Sequence, residues 1–182
     1  KLDVNVQPAI GNEITLSTCQ LDFCLPAKFN LYYIDSNGEK KTPVVLHRAI
    51  LGSLDRFMAY ILEETKGNLP TWLAPVQARV IPVKTDDDGL NAYAKEIVDA
   101  LEEAGVRVEL DDRSQKLGYR MRHSQVQKLP YLLVIGFHEK DNRSVSFRLH
   151  GEKETNVLPL DEFVEKIKKE IADKSREHIS VK

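Results

Sequence analysis

A short stretch between residues 47 and 56 combines side chains that suit a flat, phosphorylated ligand. His47 opens it, Gly52 and Ser53 follow, and Arg56 comes four residues after Gly52. We expect a strand-to-helix junction with Gly52 in the first helical turn, where glycine costs about 1 kcal/mol of helix stability. A glycine kept in spite of this cost indicates that a ligand or another backbone approaches closely. Arg56 would lie on the same helix face one turn later, where its guanidinium could bind a phosphate. The alternative, a tightly packed helix start with a surface arginine, stays open.

A second stretch, residues 113–128, is strongly basic. It has five basic side chains and no acid, a local charge of +5, contributed by Arg113, Lys116, Arg120, Arg122 and Lys128. Cations at this density neutralise phosphates, and the nearby Ser114, Tyr119 and His123 suit unstacked RNA bases. The alternative is a solvated helix face that balances the acids before it, and the spacing alone favours neither interpretation.

The composition limits the classes of protein that remain. The 182 residues are 42% hydrophobic and 30% charged with a net charge of -2, which fits a soluble globular protein and excludes a uniformly basic nucleic-acid binder. The average conceals an acidic block at residues 84–112, with 3 basic and 10 acidic side chains, directly before the basic one. No membrane-length apolar run occurs, and the dinucleotide, P-loop, HExxH, GxSxG and CxxC motifs are absent from the sequence.

The two cysteines indicate the redox setting. We expect Cys19 and Cys24 on one strand, and their odd spacing would point the thiols to opposite faces. A disulfide or a shared metal is therefore not expected, and a reducing, cytosolic compartment is the better interpretation.

Hydrophobic periodicity predicts two parts with a domain boundary after residue 75. The first is an antiparallel meander with a hairpin at Ser36–Gly38, followed by a helix whose apolar stripe runs from Ile50 to Leu62. Its last three strands are predicted at Glu13–Cys24, Phe29–Asp35 and Lys41–Leu46. The stretch Thr65–Pro75, with a glycine and two prolines, separates the parts.

The second part alternates strands with helices, which predicts an α/β layer fold with a partly parallel sheet. Its helices are expected to begin near Asp86–Asp88, to cover Leu117–Gln127 and to follow Leu160. Its strands are expected at Val76–Val83, Val106–Leu110, Tyr131–Ile135 and Val145–Leu149.

Four stretches resemble one family along the whole chain. They are Thr18–Pro26, Pro43–Phe57, Pro70–Gln77 and Lys116–Arg122. Together they are similar to the C-terminal portion of bacterial threonyl-tRNA synthetases, which are class II aminoacyl-tRNA synthetases. The resemblance implies a partial antiparallel class II catalytic sheet with the motif 3 helix over residues 1–75. It implies a three-layer α/β anticodon-binding domain with a mixed sheet over residues 76–182.

The resemblance also implies an activity: ATP, with Mg, activates threonine, and the threonyl group then passes to its tRNA. Arg56, Gln20 and Ser53 match catalytic-site positions, and Arg56, Gly52 and Ser53 match the ATP-contacting part of motif 3. His47 matches a ligand of the family's active-site zinc, which would hold threonine through its amino and hydroxyl groups.

Six residues match positions that meet the anticodon loop: Arg122, Lys128, Glu139, Arg148, Ser114 and Arg113. Three positions depart from the family pattern. Thr15 stands where a glutamine that touches ATP is common, Ser114 replaces an asparagine, and Lys128 replaces an arginine. Because lysine cannot make the bidentate contact of arginine, we expect a weaker or phosphate-directed contact at Lys128.

The resemblance finally implies what lies outside this chain. The other two zinc ligands, motifs 1 and 2 and the editing region have no counterpart here, so we expect the 182 residues alone to be inactive. The expected parent is a cytoplasmic homodimer that binds threonine and its tRNA but neither DNA nor membranes. One alternative is a catalytically inactive RNA-binding paralogue, and another is a structural or dimerising domain without an RNA ligand.

Overall fold

The computed structural model describes residues 1–179 and divides the chain into two compact units. We call Lys1–Gly67 the N-terminal unit and Asn68–Lys182 the C-terminal unit. Among the described residues the elements are, in chain order, the following: β1 Leu2–Val6, β2 Ile14–Asp22, α1 Leu25–Lys28, β3 Tyr33–Ile34, β4 Lys40–Lys41, β5 Val45–Ala49, α2 Leu54–Glu64, β6 Ala78–Pro82, α3 Asp88–Glu103, β7 Val108–Leu110, α4 Leu117–Val126, β8 Tyr131–Ile135, α5 Phe137–Asp141, β9 Ser144–Leu149, β10 Asn156–Pro159 and α6 Leu160–Ala172. The domain boundary expected after residue 75 stays a prediction.

The N-terminal unit is built on an antiparallel sheet of order β1-β2-β5. The predicted hairpin forms between β3 and β4, and Gly38 at φ +80° supplies the left-handed residue of its turn. The strand predicted to reach Cys24 ends at Asp22, because Asp22 Oδ1 accepts hydrogen bonds from the Cys24 and Leu25 N–H groups and turns the chain into α1. Cys24 therefore lies beyond the strand, and the prediction that Cys19 and Cys24 lie on one strand was wrong.

The predicted start of the helix after β5 was also wrong. Ile50 and Leu51 lie in a turn, Ser53 is the N-cap, and α2 begins only at Leu54. Gly52 is therefore not in a helical turn but at φ +67°, where a Cβ would stand 2.8 Å from the Leu16 carbonyl oxygen of β2. The close approach anticipated at this glycine is thus made by another backbone.

The C-terminal unit contains a mixed sheet of order β10-β9-β8-β6-β7. Strand β6 is parallel to β7 and β8, whereas β9 and β10 are antiparallel to their neighbours. The predicted acidic start of α3 is confirmed, because Asp87 is its N-cap and accepts from the Leu90 N–H. Helix α5 and strand β10 were not predicted from the sequence.

The two faces of this sheet have different roles. Alternate residues such as Val80, Leu133 and Phe147 enter the apolar core with α3 and α6. On the opposite face, Arg79 contacts Ser124 of α4 and pairs with Glu109 of β7, and β9 presents Ser146 and Arg148 there. Polar side chains therefore lie on the face of the sheet opposite the apolar core.

The N-terminal unit buries little of its apolar surface. Helix α2 has no fully buried side chain among its residues, although it carries an apolar stripe. Leu54 is 73% exposed and Phe29 is 70% exposed. Its sheet and helix thus leave apolar side chains uncovered, in contrast to the closed core of the C-terminal unit.

Candidate nucleotide and nucleic-acid sites

The first candidate site lies on β2 and β5, where Gln20 stands directly opposite His47. The imidazole Nε2 of His47 lies 2.9 Å from Asp22 Oδ2. The Leu25 N–H and then His47 hold the pKa of the Asp22 carboxyl below its ordinary value. The predicted metal ligand is therefore already paired with a carboxylate on the same face of the sheet.

The zinc site predicted around His47 is not completed by these residues. Within residues 1–179 no group of three or more His, Cys, Asp or Glu side chains is placed to hold a metal. Zinc sites in proteins normally use at least three protein ligands. His47 is thus the single predicted zinc ligand among the described residues, and these residues do not fit zinc on their own.

The predicted ATP-contacting residues surround the start of α2. The Ser53 hydroxyl makes no helix-capping hydrogen bond, and Arg56 is exposed in the first turn. One guanidinium nitrogen of Arg56 lies 3.5 Å from the Thr15 carbonyl oxygen, at the outer limit of a hydrogen bond. The structure therefore brings Arg56 beside Thr15, while most of its five N–H donors stay available.

The second candidate site lies on the C-terminal unit, where β6, β7 and β8 end side by side. Parallel strands present their carboxyl ends at one edge of a sheet, so the segments that follow them meet there. Arg113 and Ser114 follow β7, and Glu139 lies in α5 after β8. This edge thus assembles residues that are distant in sequence.

Arg113 is fixed by a buried neighbour. The Asp111 carboxylate, only 4% exposed, accepts from Arg113 Nε at 2.8 Å and from Nη2 at 2.7 Å. These bonds are the main reason that the pKa of Asp111 lies below its ordinary value. The Arg113 Nη2 also lies 3.3 Å from His123 Nδ1, and the adjacent Ser114 is exposed. The arginine is therefore held in one orientation with its remaining donors available.

Not every cation of the basic block faces solvent. Arg120 is 1% exposed and donates to three backbone carbonyls, so its inclusion among the phosphate-neutralising side chains was wrong. Arg122, on the same helix α4, is exposed. Lys128 is exposed just after α4, where its backbone has a φ of +56°.

Glu139 and Arg148 come together in one pocket of about 340 Å³, which Ser146 and Thr155 also line. Burial opposes ionisation of Glu139, but bonds from the Ser146 hydroxyl at 2.7 Å and the Gly136 N–H at 2.8 Å outweigh it and lower its pKa. Arg148 donates to Thr155 through Nη2, whereas its buried Nε has no partner among the described residues. The pocket thus combines a carboxylate with a guanidinium.

Sequence reasoning missed Asp111, Ser146 and Thr155, although each of them positions a predicted contact residue. One signal was present in β9, where Ser144, Ser146 and Arg148 alternate with apolar residues. Such an alternation marks a polar sheet face. The positions of Asp111 and Thr155 depend on tertiary contacts and left no comparable signal.

The family model for the anticodon binding domain matches residues 77–170, more than half of the chain. The chain belongs to the anticodon-binding domain family. Residues 1–65, which precede this anticodon-binding domain, match the class II core domain model for tRNA synthetases of the G, H, P, S and T types. These matches and the mixed sheet confirm the fold class predicted from the sequence.

Curated relatives that match most of this chain are named threonine–tRNA ligases. Those of Anoxybacillus flavithermus and Listeria monocytogenes are 48% identical over 171 residues and 49% identical over 172 residues. Each match covers 94% of this chain but only 26% or 27% of the relative. The family resemblance is therefore confirmed, and the chain spans about a quarter of the length of these curated relatives.

Solved structures agree with this assignment. The RNA binding domain of threonyl-tRNA synthetase from Cryptosporidium parvum is 36% identical with a TM-score of 0.79, and the match covers 92% of this chain and 42% of that one. A prolyl-tRNA synthetase from the same organism, complexed with L-proline and AMP, has a TM-score of 0.73 at 24% identity over 88% of this chain and 34% of that one, which shows a shared fold alone. Within residues 1–179, no helix has the length and apolar character needed to cross a membrane.

Proposed function

We propose that this chain supplies motif 3 and anticodon recognition to a threonine–tRNA ligase. The parent enzyme uses ATP with Mg to activate threonine and transfers the threonyl group to its tRNA. The observation that carries the proposal is the 48–49% identity to threonine–tRNA ligases across 94% of the chain. The parent works as a cytoplasmic homodimer, without DNA or membrane partners.

In the anticodon-binding domain, the pocket of Glu139 and Arg148 receives a nucleobase from the anticodon loop. The lowered pKa keeps Glu139 ionised at neutral pH, so its carboxylate accepts hydrogen bonds from base amino or imino groups. Arg148 lines the same pocket and donates to Thr155 through Nη2, and its guanidinium supplies a hydrogen-bond donor for an acceptor on the same ligand. Unstacked bases read through their hydrogen-bonding edges are the usual targets of sequence-specific RNA recognition.

The exposed cations hold the RNA backbone or base acceptors. Arg122 lies on the outer face of α4, Lys128 follows that helix, and Arg113 is oriented by Asp111. Ser114 offers a hydroxyl beside Arg113. Phosphate contacts fix the register of the anticodon loop, and the pocket then distinguishes its bases.

On the N-terminal unit, Arg56 contacts ATP through a guanidinium that can neutralise phosphate and lie flat against the adenine ring. Gly52 and Ser53 form the turn that places it, and Gln20 lies on the strand next to His47. Because the described residues do not complete a zinc site, no step proposed for this chain depends on zinc.

The proposal is tested by titrating the 182-residue chain with a threonine tRNA and with the same tRNA carrying a replaced anticodon. Each well-formed base contact contributes about 1–3 kcal/mol of discrimination, so we expect at least about tenfold preference for the threonine anticodon at fixed salt. Equal affinities would contradict anticodon recognition.

A second measurement separates the activity of the parent from that of the chain. We expect no ATP–pyrophosphate exchange with threonine from the chain alone. Robust exchange would contradict the division of catalytic residues proposed for this chain and the rest of its parent.

A further inference from the structure

Arg120 is a buried arginine that binds only backbone carbonyls among the described residues. Its Nε donates to Gln115 O at 3.1 Å, its Nη1 to Asp111 O at 2.8 Å and its Nη2 to Pro82 O at 2.7 Å. The side chain is 1% exposed, so it cannot meet RNA itself. A guanidinium with three of its nitrogens engaged fixes the positions of all three acceptors, since its fork is planar and rigid.

Those carbonyls belong to two segments at the edge of the sheet. Pro82 ends β6, while Asp111 and Gln115 belong to the loop after β7, residues 111–116, which we call the β7–α4 loop. This loop carries Arg113 and Ser114, two of the predicted anticodon contacts. Arg120 therefore fastens the loop at two points and ties it to the neighbouring strand.

A second set of bonds continues this connection to the surface. Arg120 holds the Asp111 carbonyl, and the Asp111 carboxylate holds both Nε and Nη2 of Arg113. Hydrogen bonds thus connect the buried Arg120 of α4, through Asp111, to the exposed guanidinium of Arg113. A buried charge is costly compared with an apolar side chain of similar size, so its presence here points to a positional role.

We propose that Arg120 is a positioning residue for anticodon binding, which holds the β7–α4 loop so that Arg113 and Ser114 meet the RNA in a preformed geometry. The inference rests on the proposed function of the anticodon-binding domain. A loop already ordered before binding loses less conformational freedom when it contacts its ligand. Loss of Arg120 would therefore weaken the discrimination between anticodons without removing any direct contact.

The chain offers a matched control in Arg107, which also fastens a segment through backbone carbonyls. Arg107 lies just before β7, and its guanidinium donates to the carbonyl oxygens of Trp72, Ala74 and Pro75. None of the predicted RNA contacts lies in that segment. Replacing Arg107 therefore shows how tRNA binding responds when arginine–carbonyl hydrogen bonds are lost elsewhere in the C-terminal unit, away from the β7–α4 loop.

The experiment compares Arg120→Met, Arg120→Lys, Arg107→Met and the original chain, each confirmed to be folded by a cooperative melt. For each protein we measure the dissociation constants for threonine tRNA and for the anticodon-replaced tRNA, and the amide hydrogen exchange of residues 112–115. Lysine keeps the charge, but a single ammonium cannot reproduce bonds that three nitrogens make.

We expect Arg120→Met to weaken cognate binding about tenfold, which corresponds to losing about one good base contact. Arg120→Lys should weaken it about threefold, and both should accelerate exchange in the β7–α4 loop. Affinity for the anticodon-replaced tRNA should fall by a smaller factor in both variants, because only the phosphate contacts of the loop are shared by the two RNAs. Arg107→Met should leave both dissociation constants within about twofold of the original.

Full cognate preference in folded Arg120→Met would overturn the inference, and so would an equal loss in Arg107→Met. If Arg120→Met has no cooperative melt, Arg120→Lys decides: unchanged affinity with unchanged loop exchange overturns the inference. If the original chain itself does not distinguish the two tRNAs, the proposed function fails instead, so the two failures are separable.

Discussion

Replacing Glu139 by glutamine tests the electrostatics of the pocket that Glu139 shares with Arg148. The two carboxylate oxygens accept separate hydrogen bonds, one from Ser146 and one from the Gly136 N–H. Glutamine is neutral and has only one acceptor oxygen, so one of the two bonds is lost or reversed and the other is no longer charge-assisted. Hydrogen bonds to charged groups contribute about 1.5–3 kcal/mol, and since the Ser146 hydroxyl can rotate to accept from the amide, we expect about 1.5 kcal/mol of destabilisation at pH 7.

The stability difference between the original chain and Glu139→Gln should depend on pH. The folded-state pKa of Glu139 lies below the ordinary value of 4.5, so the ionised carboxyl stabilises the folded state above that value. This stabilisation is lost as the pH falls through the lower, folded-state pKa. The difference between the original chain and Glu139→Gln should therefore be full at pH 7 and shrink progressively below about pH 4.5.

Urea unfolding followed by tryptophan fluorescence measures this difference. Trp72 is the single tryptophan of the sequence and belongs to the C-terminal unit, so its signal reports that unit. The control is Glu162→Gln, because Glu162 pairs with Lys166 on the exposed side of α6 and its loss should cost about 0.3–0.5 kcal/mol. Equal losses in the two variants, or a Glu139→Gln deficit that persists unchanged at low pH, would refute the reasoning.

Three further predictions concern single side chains. Asp87→Ala should remove the cap of α3 and destabilise the C-terminal unit by about 1 kcal/mol in the same fluorescence assay, whereas Asp86→Ala, exposed beside it, should have little effect. Gly52→Ala should accelerate amide exchange across β2 and β5, since its Cβ would meet Leu16 O; unchanged exchange would contradict the close approach. Arg122→Ala should weaken tRNA binding and reduce the slope of log affinity against log salt by about 1, and an unchanged slope would exclude a phosphate contact.

Much of the C-terminal unit was predictable because its signals are local. The strand Tyr131–Ile135 is a short apolar run, and it forms with the predicted bounds. The buried face of α3 follows from helical spacing, and its start follows from an acidic N-cap. In this unit local preference and tertiary packing agree, so sequence patterns were sufficient.

The junction after β5 was predicted less well because its geometry depends on a distant strand. The apolar stripe suggested a helix from Ile50, but the left-handed Gly52 packs against Leu16, and the helix starts at Leu54. Nothing local to residues 47–56 specifies that contact. The short elements α5 and β10 were missed for a related reason, since α5 has five residues and β10 has four, too few for a periodic pattern.

The candidate sites were also predictable only in part. The family resemblance indicated Glu139 and Arg148, but only the fold shows that they share a pocket with Ser146 and Thr155. Counting charges placed Arg120 with the exposed cations, because a sequence does not reveal that three carbonyls converge on it. Charge predicts the class of ligand, whereas burial decides which cations can reach it.

The function proposed for the anticodon-binding domain is recognition of the threonine anticodon through residues of the β7–α4 loop, α4, α5 and β9. The most direct test is a titration of the isotope-labelled chain with an anticodon stem-loop RNA, followed by amide chemical shifts. We expect shifts concentrated at Arg113, Arg122, Glu139 and Arg148, and much smaller shifts with a stem-loop of replaced anticodon. Shifts that cluster elsewhere on the C-terminal unit, or that are the same for both RNAs, would contradict it.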